Sequence, residues 1–334
     1  MYRKSGGDLQ TTKFAARLNG FKSGAETYWP GKNRITALDL AARAATVPGL
    51  NTVDLNYPDH LEGTKPAEFA ARLADLGLAL NGFAMRYYGE PRFKLGAFTH
   101  PDPAVRRQAI DLTKRGIDAL RQAGGTLMTL WLGQDGFDYA FQIDYARAWE
   151  MEVAGIAEVC AHDRSVKISL EYKPNEPRAF ALLPDIGTTL LATKEVGAAN
   201  LGITLDFAHV LYADEMPAFA AMLAARHARL FGVHLNDGYG KRDDGLMAGS
   251  VHVFETVELL HVIGKLGYDS AIYFDTFPDA AGLDPVAECT VNIETVTALK
   301  RVAAKLSGDA GLDAAIAAQD AVAARRIVNR ALHG

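Results

Sequence analysis

Four segments of this sequence close an apolar, partly β-branched run with a side chain that can hold a proton or a cation: Ile168-Ser-Leu-Glu171, Ile203-Thr-Leu-Asp206, Gly232-Val-His234 and Ile272-Tyr-Phe-Asp275. Three carboxylates and an imidazole gathered as bare charges would carry a large electrostatic cost, so a cation is their natural partner. Oxygen-rich ligation with one nitrogen suits Mn²⁺ or Mg²⁺, and also Co²⁺, better than a thiol-seeking metal. Glu171, Asp206, His234 and Asp275 are therefore the expected ligands of one divalent ion. Lys173 follows Glu171 by two, so on a strand it faces the same side and can reach a substrate hydroxyl or carbonyl. His209 stands three beyond Asp206, one helical turn on if the chain has begun to coil, within reach of a second metal or a proton in transit.

Each residue taken singly has a plainer explanation. An acid after an apolar strand is most often a helix N-cap or a solvated loop group, a lysine there a surface cation or salt-bridge partner, and a histidine a loop anchor. Four such groups in phase on successive strands are harder to assign to capping alone, because one architecture brings the carboxyl ends of its strands around a common cavity.

The elements that must position them follow from periodicity. Short apolar runs alternate with amphipathic helical stretches along most of the chain, which is the pattern of βα units. Strands are expected at Phe14–Phe21, Thr52–Leu55, Leu78–Met85, Thr126–Leu132, Lys167–Tyr172, Leu201–Asp206, Leu230–Leu235 and Ser270–Phe274. Eight strands close a barrel, so the fold class is α/β, a (β/α)8 TIM barrel over residues 1–306. Several intervening helices begin with proline in the first turn, where its missing N–H costs nothing. After a break at Ser307, Gly308 and Gly311, the Ala-rich stretch Leu312–Leu332 reads as one amphipathic helix, so residues 307–334 form a C-terminal helical extension packing on the barrel or on a neighbouring subunit.

Composition bounds the partners. The 334 residues carry a formal charge of −5, and the 35 basic residues are dispersed, so no field exists to collect nucleic acid or an anionic membrane. Cys160 and Cys289 form no CxxC pair and no apolar leader opens the chain, from which a reduced, cytoplasmic location is expected. The longest apolar stretches, such as Ala218 to Ala225, are too short to span a bilayer.

Glu171-Tyr-Lys173-Pro-Asn-Glu-Pro-Arg178 closely resembles the E-x-K-P-N-E-P-R segment of bacterial xylose isomerases. Phe93-Lys-Leu-Gly-Ala-Phe-Thr99, followed by Pro101-Asp-Pro-Ala-Val-Arg-Arg107, is similar to that family's FKDGGFT…VRR stretch, and Trp131 with Gly133 and Gly136 to its W-G-G-R-E-G turn. Tyr273-Phe-Asp275 resembles its final metal-bearing strand, and the likeness runs roughly from Tyr57 to Lys300. The resemblance implies a divalent-metal-dependent sugar isomerase, interconverting an aldose and a ketose by a metal-assisted 1,2-hydride shift, in a homodimer or homotetramer. It implies that Glu171, Asp206, His234 and Asp275 hold one metal, that His209, Asp243 and Asp244 contribute to a second, that Lys173 polarises the C1 oxygen and that Trp131 walls the sugar from water. Tyr57, His60 and Asn236 are the further substrate-binding expectations, and Glu171, Lys173, His209 and Asp243 the catalytic ones.

Departures from the pattern are informative. Asp206 stands where xylose isomerases carry Glu, and His234 where they carry Asp; a histidine here is shared with rhamnose-isomerase-like and ketose-3-epimerase-like barrels. Gly245 falls where a second carboxylate of a D-x-D pair is expected, leaving Asp244 to substitute. Tyr57 occupies the place of the ring-opening histidine, with His60 nearby. The alternatives are a ketose 3-epimerase, a lyase acting on an oxidised glycoside through the same metal, and a non-catalytic sugar-binding barrel.

Overall fold

A computed structural model describes residues 12–61 and 63–334. Among them, eight parallel strands close into a barrel: β1 (Phe14–Arg17), β2 (Thr52–Tyr57), β3 (Ala79–Met85), β4 (Leu127–Leu130), β5 (Lys167–Glu171), β6 (Leu201–Asp206), β7 (Leu230–Leu235) and β8 (Ile272–Phe274). Around the ring the order is β1-β8-β7-β6-β5-β4-β3-β2, with consecutive strands adjacent throughout. Each strand is covered on both faces, by barrel interior and by helices, which is why these segments read as nearly unbroken apolar runs.

Helices α1 (Ala37–Ala44), α2 (Pro66–Asp75), α3 (Pro103–Gln122), α4 (Tyr145–His162), α5 (Ile186–Val196), α6 (Pro217–His227), α7 (Val253–Leu266) and α8 (Pro285–Ser307) form the outer layer. Their starts are written in the sequence. Proline opens α2, α3, α6 and α8, and the side chains of Asp102, Asp144, Asp185 and Asp284 accept first-turn N–H groups of α3, α4, α5 and α8. No described helix is long and apolar enough to cross a membrane.

Two expectations are corrected. The first strand ends at Arg17 rather than Phe21, because Leu18–Lys22 turn into a 3-10 helix that buries Leu18 and Phe21, a spacing of three that suits a helical turn and not a strand. The tail is two helices, α9 (Ala310–Ala317) and α10 (Ala321–His333), rather than one. Between them Gln319 adopts a positive φ of 54°, and the Asp320 side chain caps the new helix by accepting from the Ala323 N–H at 2.9 Å. The tail lies on the barrel's outer layer: Lys265 of α7 pairs with Asp313, and the Arg325 guanidinium sits 3.8 Å from the Phe254 ring centroid.

Above the barrel's carboxyl end, Gly136–Phe137 pairs antiparallel with Phe180–Ala181, tying the loop after β4 to the loop after β5. A Cβ at Gly136 would stand 2.1 Å from the Phe180 carbonyl oxygen, so only glycine permits this approach. Asp138 reinforces the tie, accepting from the Ala179 N–H at 2.9 Å and pairing with Arg178 at 3.0 Å. Through this ribbon the segment containing Glu176 is held at the cavity that Trp131 also lines.

Candidate metal centre

The carboxyl ends of β5 to β8 deliver Glu171, Asp206, His234 and Asp275 to one place, with a ligand atom of each within 4.8 Å of the others. Asp206 and His234 are direct register partners across β6 and β7. His234 Nδ1 lies 3.2 Å from Glu171 Oε1 and 3.8 Å from Asp206 Oδ2. Asp206 is also a helix cap, accepting from the His209 N–H at 3.0 Å at the start of the short helix Phe207–Tyr212. Capping uses one lone pair of a carboxylate and leaves others for a ligand, so the two explanations weighed from the sequence are compatible.

Burial and like-charge crowding set the protonation of this group. Burial pushes the Asp206 carboxyl up to about 7, with His209 opposing and Asp243, Asp275 and Glu171 adding to the rise. Asp275 is likewise raised, by burial and by Glu171. Burial works against a charged His234, yet Glu171, Asp275 and Asp206 raise it to about 9. Burial also disfavours the Glu171 carboxylate, but His234 and His209 bring it down to about 2. The acids thus draw protons onto the imidazoles to balance themselves. A divalent cation satisfies the same demand with three oxygens and one nitrogen already facing each other, and the donor set fits one.

Beside this cluster lies a second polar group. His209 Nδ1 donates to the Tyr172 carbonyl at 3.0 Å, which leaves Nε2 toward Asp243 Oδ2 at 3.1 Å. Burial opposes the charged imidazole, but Asp206 and Asp243 raise His209 to about 10. Burial also opposes the Asp243 carboxylate, and His209 with Lys173 holds it below the usual range. Lys173 Nζ is 3.1 Å from Asp243, 2.9 Å from Glu176 Oε2 and 5.3 Å from the Trp131 ring centroid. Asp243 Oδ1 is buried with no hydrogen-bond partner.

These groups surround a cavity of about 240 Å³ at the carboxyl mouth of the barrel. Glu171, Asp275, Lys173, His209, Asp243 and Trp131 line it. Four other residues fall elsewhere. Tyr57 is not in the cavity: three residues past the inward Asp54 it has the opposite strand parity, and its ring stacks on Phe83 at 6.1 Å and packs on α3 at Gly116. His60 lies off the cavity lining, with Nδ1 accepting from the Asn56 N–H at 3.0 Å and Nε2 donating to Asn19 Oδ1 at 2.6 Å. Asn236 is fully buried behind the ligands; its amide donates to both Asp206 oxygens at 3.2 Å and to the Asp275 carbonyl at 3.0 Å. It positions Asp206 and does not face the cavity. Asp244 turns its carboxylate to the Tyr239 N–H and to Arg242, both at 2.8 Å, so it does not join His209 and Asp243. The neighbouring Gly245 has φ 57°, and a Cβ there would stand 2.3 Å from the Phe277 ring, which excludes a carboxylate at that position.

Sequence reasoning missed Arg17, Arg86, Tyr88, Glu176 and Phe277 on the cavity wall. A signal existed for the first two: Arg17 is the last residue of β1 and Arg86 follows the last residue of β3, the same rim position used by the ligands. Deeper in the barrel, Asp54 accepts from Asn81 at 2.7 Å, and burial pushes it up to about 6 despite that bond. A folded pKa above the unfolded value of about 3.9 means that the native state binds the proton more tightly, so stability falls as pH rises from about 4 to about 6. Asp54→Asn is therefore expected to make the metal-free protein more stable at pH 7 by on the order of 2–3 kcal/mol, with the difference fading toward pH 4. Urea unfolding of both proteins at the two pH values checks this; an equal gain at pH 4 would assign the effect to packing.

Comparison with known proteins agrees with the fold. The family model described as xylose isomerase-like TIM barrel matches residues 41–293. The chain is 27% identical over 241 residues to a xylose isomerase of Thermus thermophilus, covering 68% of this chain and 62% of the relative. It is 27% identical over 252 residues to a protein of Mesorhizobium japonicum named "Probable sugar isomerase", covering 71% and 57%. The matches therefore span less than two thirds of either relative's length. Among solved structures, an L-ribulose 3-epimerase superposes with TM-score 0.66 at 18% identity, over 90% of this chain and 99% of that one. A D-psicose 3-epimerase superposes with TM-score 0.65 at 13% identity, over 86% and 99%, and at such identities the fold is what is shared. With an eight-stranded barrel, its polar groups at the carboxyl mouth and a family match over most of its length, this chain belongs to the xylose isomerase-like TIM barrel family.

Proposed function

We propose that the protein is a divalent-metal-dependent sugar isomerase interconverting an aldose and a ketose by a 1,2-hydride shift. The observation that carries this reading is the Lys173 ammonium, held at the cavity by Asp243 and Glu176 beside the four-donor cluster. Glu171, Asp206, His234 and Asp275 would hold a cation such as Mn²⁺ or Mg²⁺, which would supply Lewis acidity at the cavity.

The chain's own groups do the rest. In the aldose-to-ketose direction hydrogen moves with its electron pair from C2 to C1, the O2 proton departs and O1 gains one. Lys173 stabilises the negative charge that grows on O1, and its two carboxylate partners hold it in place before substrate arrives. His209, fixed by the Tyr172 carbonyl, presents Nε2 with Asp243 as the pair that holds the migrating proton. Trp131 and Tyr88, with ring centroids 5.5 Å apart, wall the reacting carbons from water and strengthen each of these interactions. Relatives and structural neighbours are named for sugar isomerisation and epimerisation, which supports a sugar as substrate.

The test is an aldose panel carrying deuterium at C2, assayed with Mn²⁺, Mg²⁺ and Co²⁺. Ketose retaining the label at C1 is the expected product. Full washout into water would place Glu171 as a base in an enediol route, and a ketose panel run alongside that yields ketoses inverted at C3 would make the protein an epimerase.

A further inference from the structure

The half of the cavity built from β5 to β8 is acidic, whereas the opposite rim is cationic. Arg17 closes β1, Arg86 follows β3, and both line the cavity on either side of β2, across the ring from β6. Arg17 is partly committed, with Nη1 2.9 Å from Asp279 and Nε 3.8 Å from Asp275. Arg86 is not. Among the described residues its guanidinium forms no salt bridge, its Nε is buried without a hydrogen-bond partner, and it leans on the Tyr88 ring at 5.6 Å.

The residue between the two arginines offers them no counter-charge. Both nitrogens of His60 are taken, by the Asn56 N–H and by Asn19, and burial together with the charges of Arg86 and Arg17 pushes it down to about 3. A guanidinium whose Nε is buried and unpaired, with no carboxylate against it among the described residues, is costly unless an anion meets its fork, and that planar fork matches a carboxylate or phosphate oxygen pair. Between Arg86 and Lys173 the cavity wall is aromatic, since Arg86 lies over Tyr88, Tyr88 against Trp131, and Lys173 over Trp131. An apolar track joining two cations suits the C–H face of a sugar held at both ends.

We propose that the substrate is a sugar bearing an anionic group, a carboxylate or a phosphate, at the end remote from its reacting carbons, gripped there by Arg86 with Arg17. This rests on the isomerase reading for the other end of the sugar, and it makes Arg86 a specificity-determining residue.

The experiment titrates the Mn²⁺-loaded protein calorimetrically with hexoses, the matching hexuronates and the matching hexose 6-phosphates of gluco, galacto and manno configuration. One anionic series is expected to bind about 10- to 100-fold more tightly than the neutral one, and which series does so separates carboxylate from phosphate. Arg86→Met is expected to erase that preference and Arg86→Lys to recover part of it; should Arg86→Met fail to fold, Arg86→Gln takes its place. No anion preference anywhere in the set overturns the proposal. A preference that survives loss of the guanidinium overturns it too, and assigns the anion to the metal. Turnover of the same sugars is read separately. Anion binding through Arg86 without isomerisation removes only the isomerase reading, whereas isomerisation of neutral hexoses without anion preference removes only this inference.

Discussion

Lys173→Met is expected to lower kcat about 10²- to 10³-fold while sugar binding stays within a few fold, because one preorganised charge aimed at a developing oxyanion contributes about 3–4 kcal/mol to the transition state. Methionine keeps most of the side chain's length and its packing on Trp131, and removes the charge. The carboxylates left behind have other resources: Glu176 is 43% exposed and can be solvated, and Asp243 keeps His209 at 3.1 Å. The variant is therefore expected to fold. Steady-state kinetics set against sugar binding by calorimetry decides the matter. An unchanged kcat would remove Lys173 from the chemistry, and a wild-type protein inactive on every aldose and ketose would leave a sugar-binding barrel.

Removing the metal is expected to abolish turnover and to lower the melting temperature as well. At a metal concentration 100 times its dissociation constant, binding to the native state alone contributes about 2.7 kcal/mol. At about 2.1 cal/mol/K of unfolding entropy per residue, each kcal/mol moves the midpoint of a chain of this size by about 1.4 °C, so chelation is expected to lower it by about 4 °C. The protonation of the metal-free cluster adds a second signature. Asp206 at about 7 and His234 at about 9 hold protons that must leave when they become ligands, so metal uptake at pH 7 releases protons and tightens as pH rises. Scanning calorimetry with and without chelator, and an indicator titration of released protons, measure both effects. Glu171→Gln should melt at one temperature whether or not metal is present. If loaded and chelated wild-type samples share one melting temperature and one activity, the four donors are a structural ion-pair cluster and not a metal site.

The lines between legible and illegible residues run along particular physical causes. Glu171, Asp206, His234 and Asp275 could be found because each lies at or beside the carboxyl end of a strand that announces itself by an apolar run, and a barrel points such ends at one cavity. Lys173 followed from strand parity. The same parity, applied to Tyr57 from Asp54, would have turned Tyr57 outward toward α3; the family's pattern drew it inward instead. Arg17 escaped notice because the run from Phe14 to Phe21 hides the strand's end, which is fixed by the burial of Leu18 and Phe21 in a 3-10 turn.

By itself the sequence determined the strand set, the helix starts and the identity of the acidic half of the mouth, since these depend on local periodicity, capping chemistry and residue type. Only the tertiary structure decided that Asn236 is spent on Asp206 and that Gly245 is held open by Phe277. It also brought Arg17 and Arg86 to face the acids from across the ring. Those facts depend on which side chains barrel closure brings together from distant parts of the chain, and no spacing within a single segment encodes that distance.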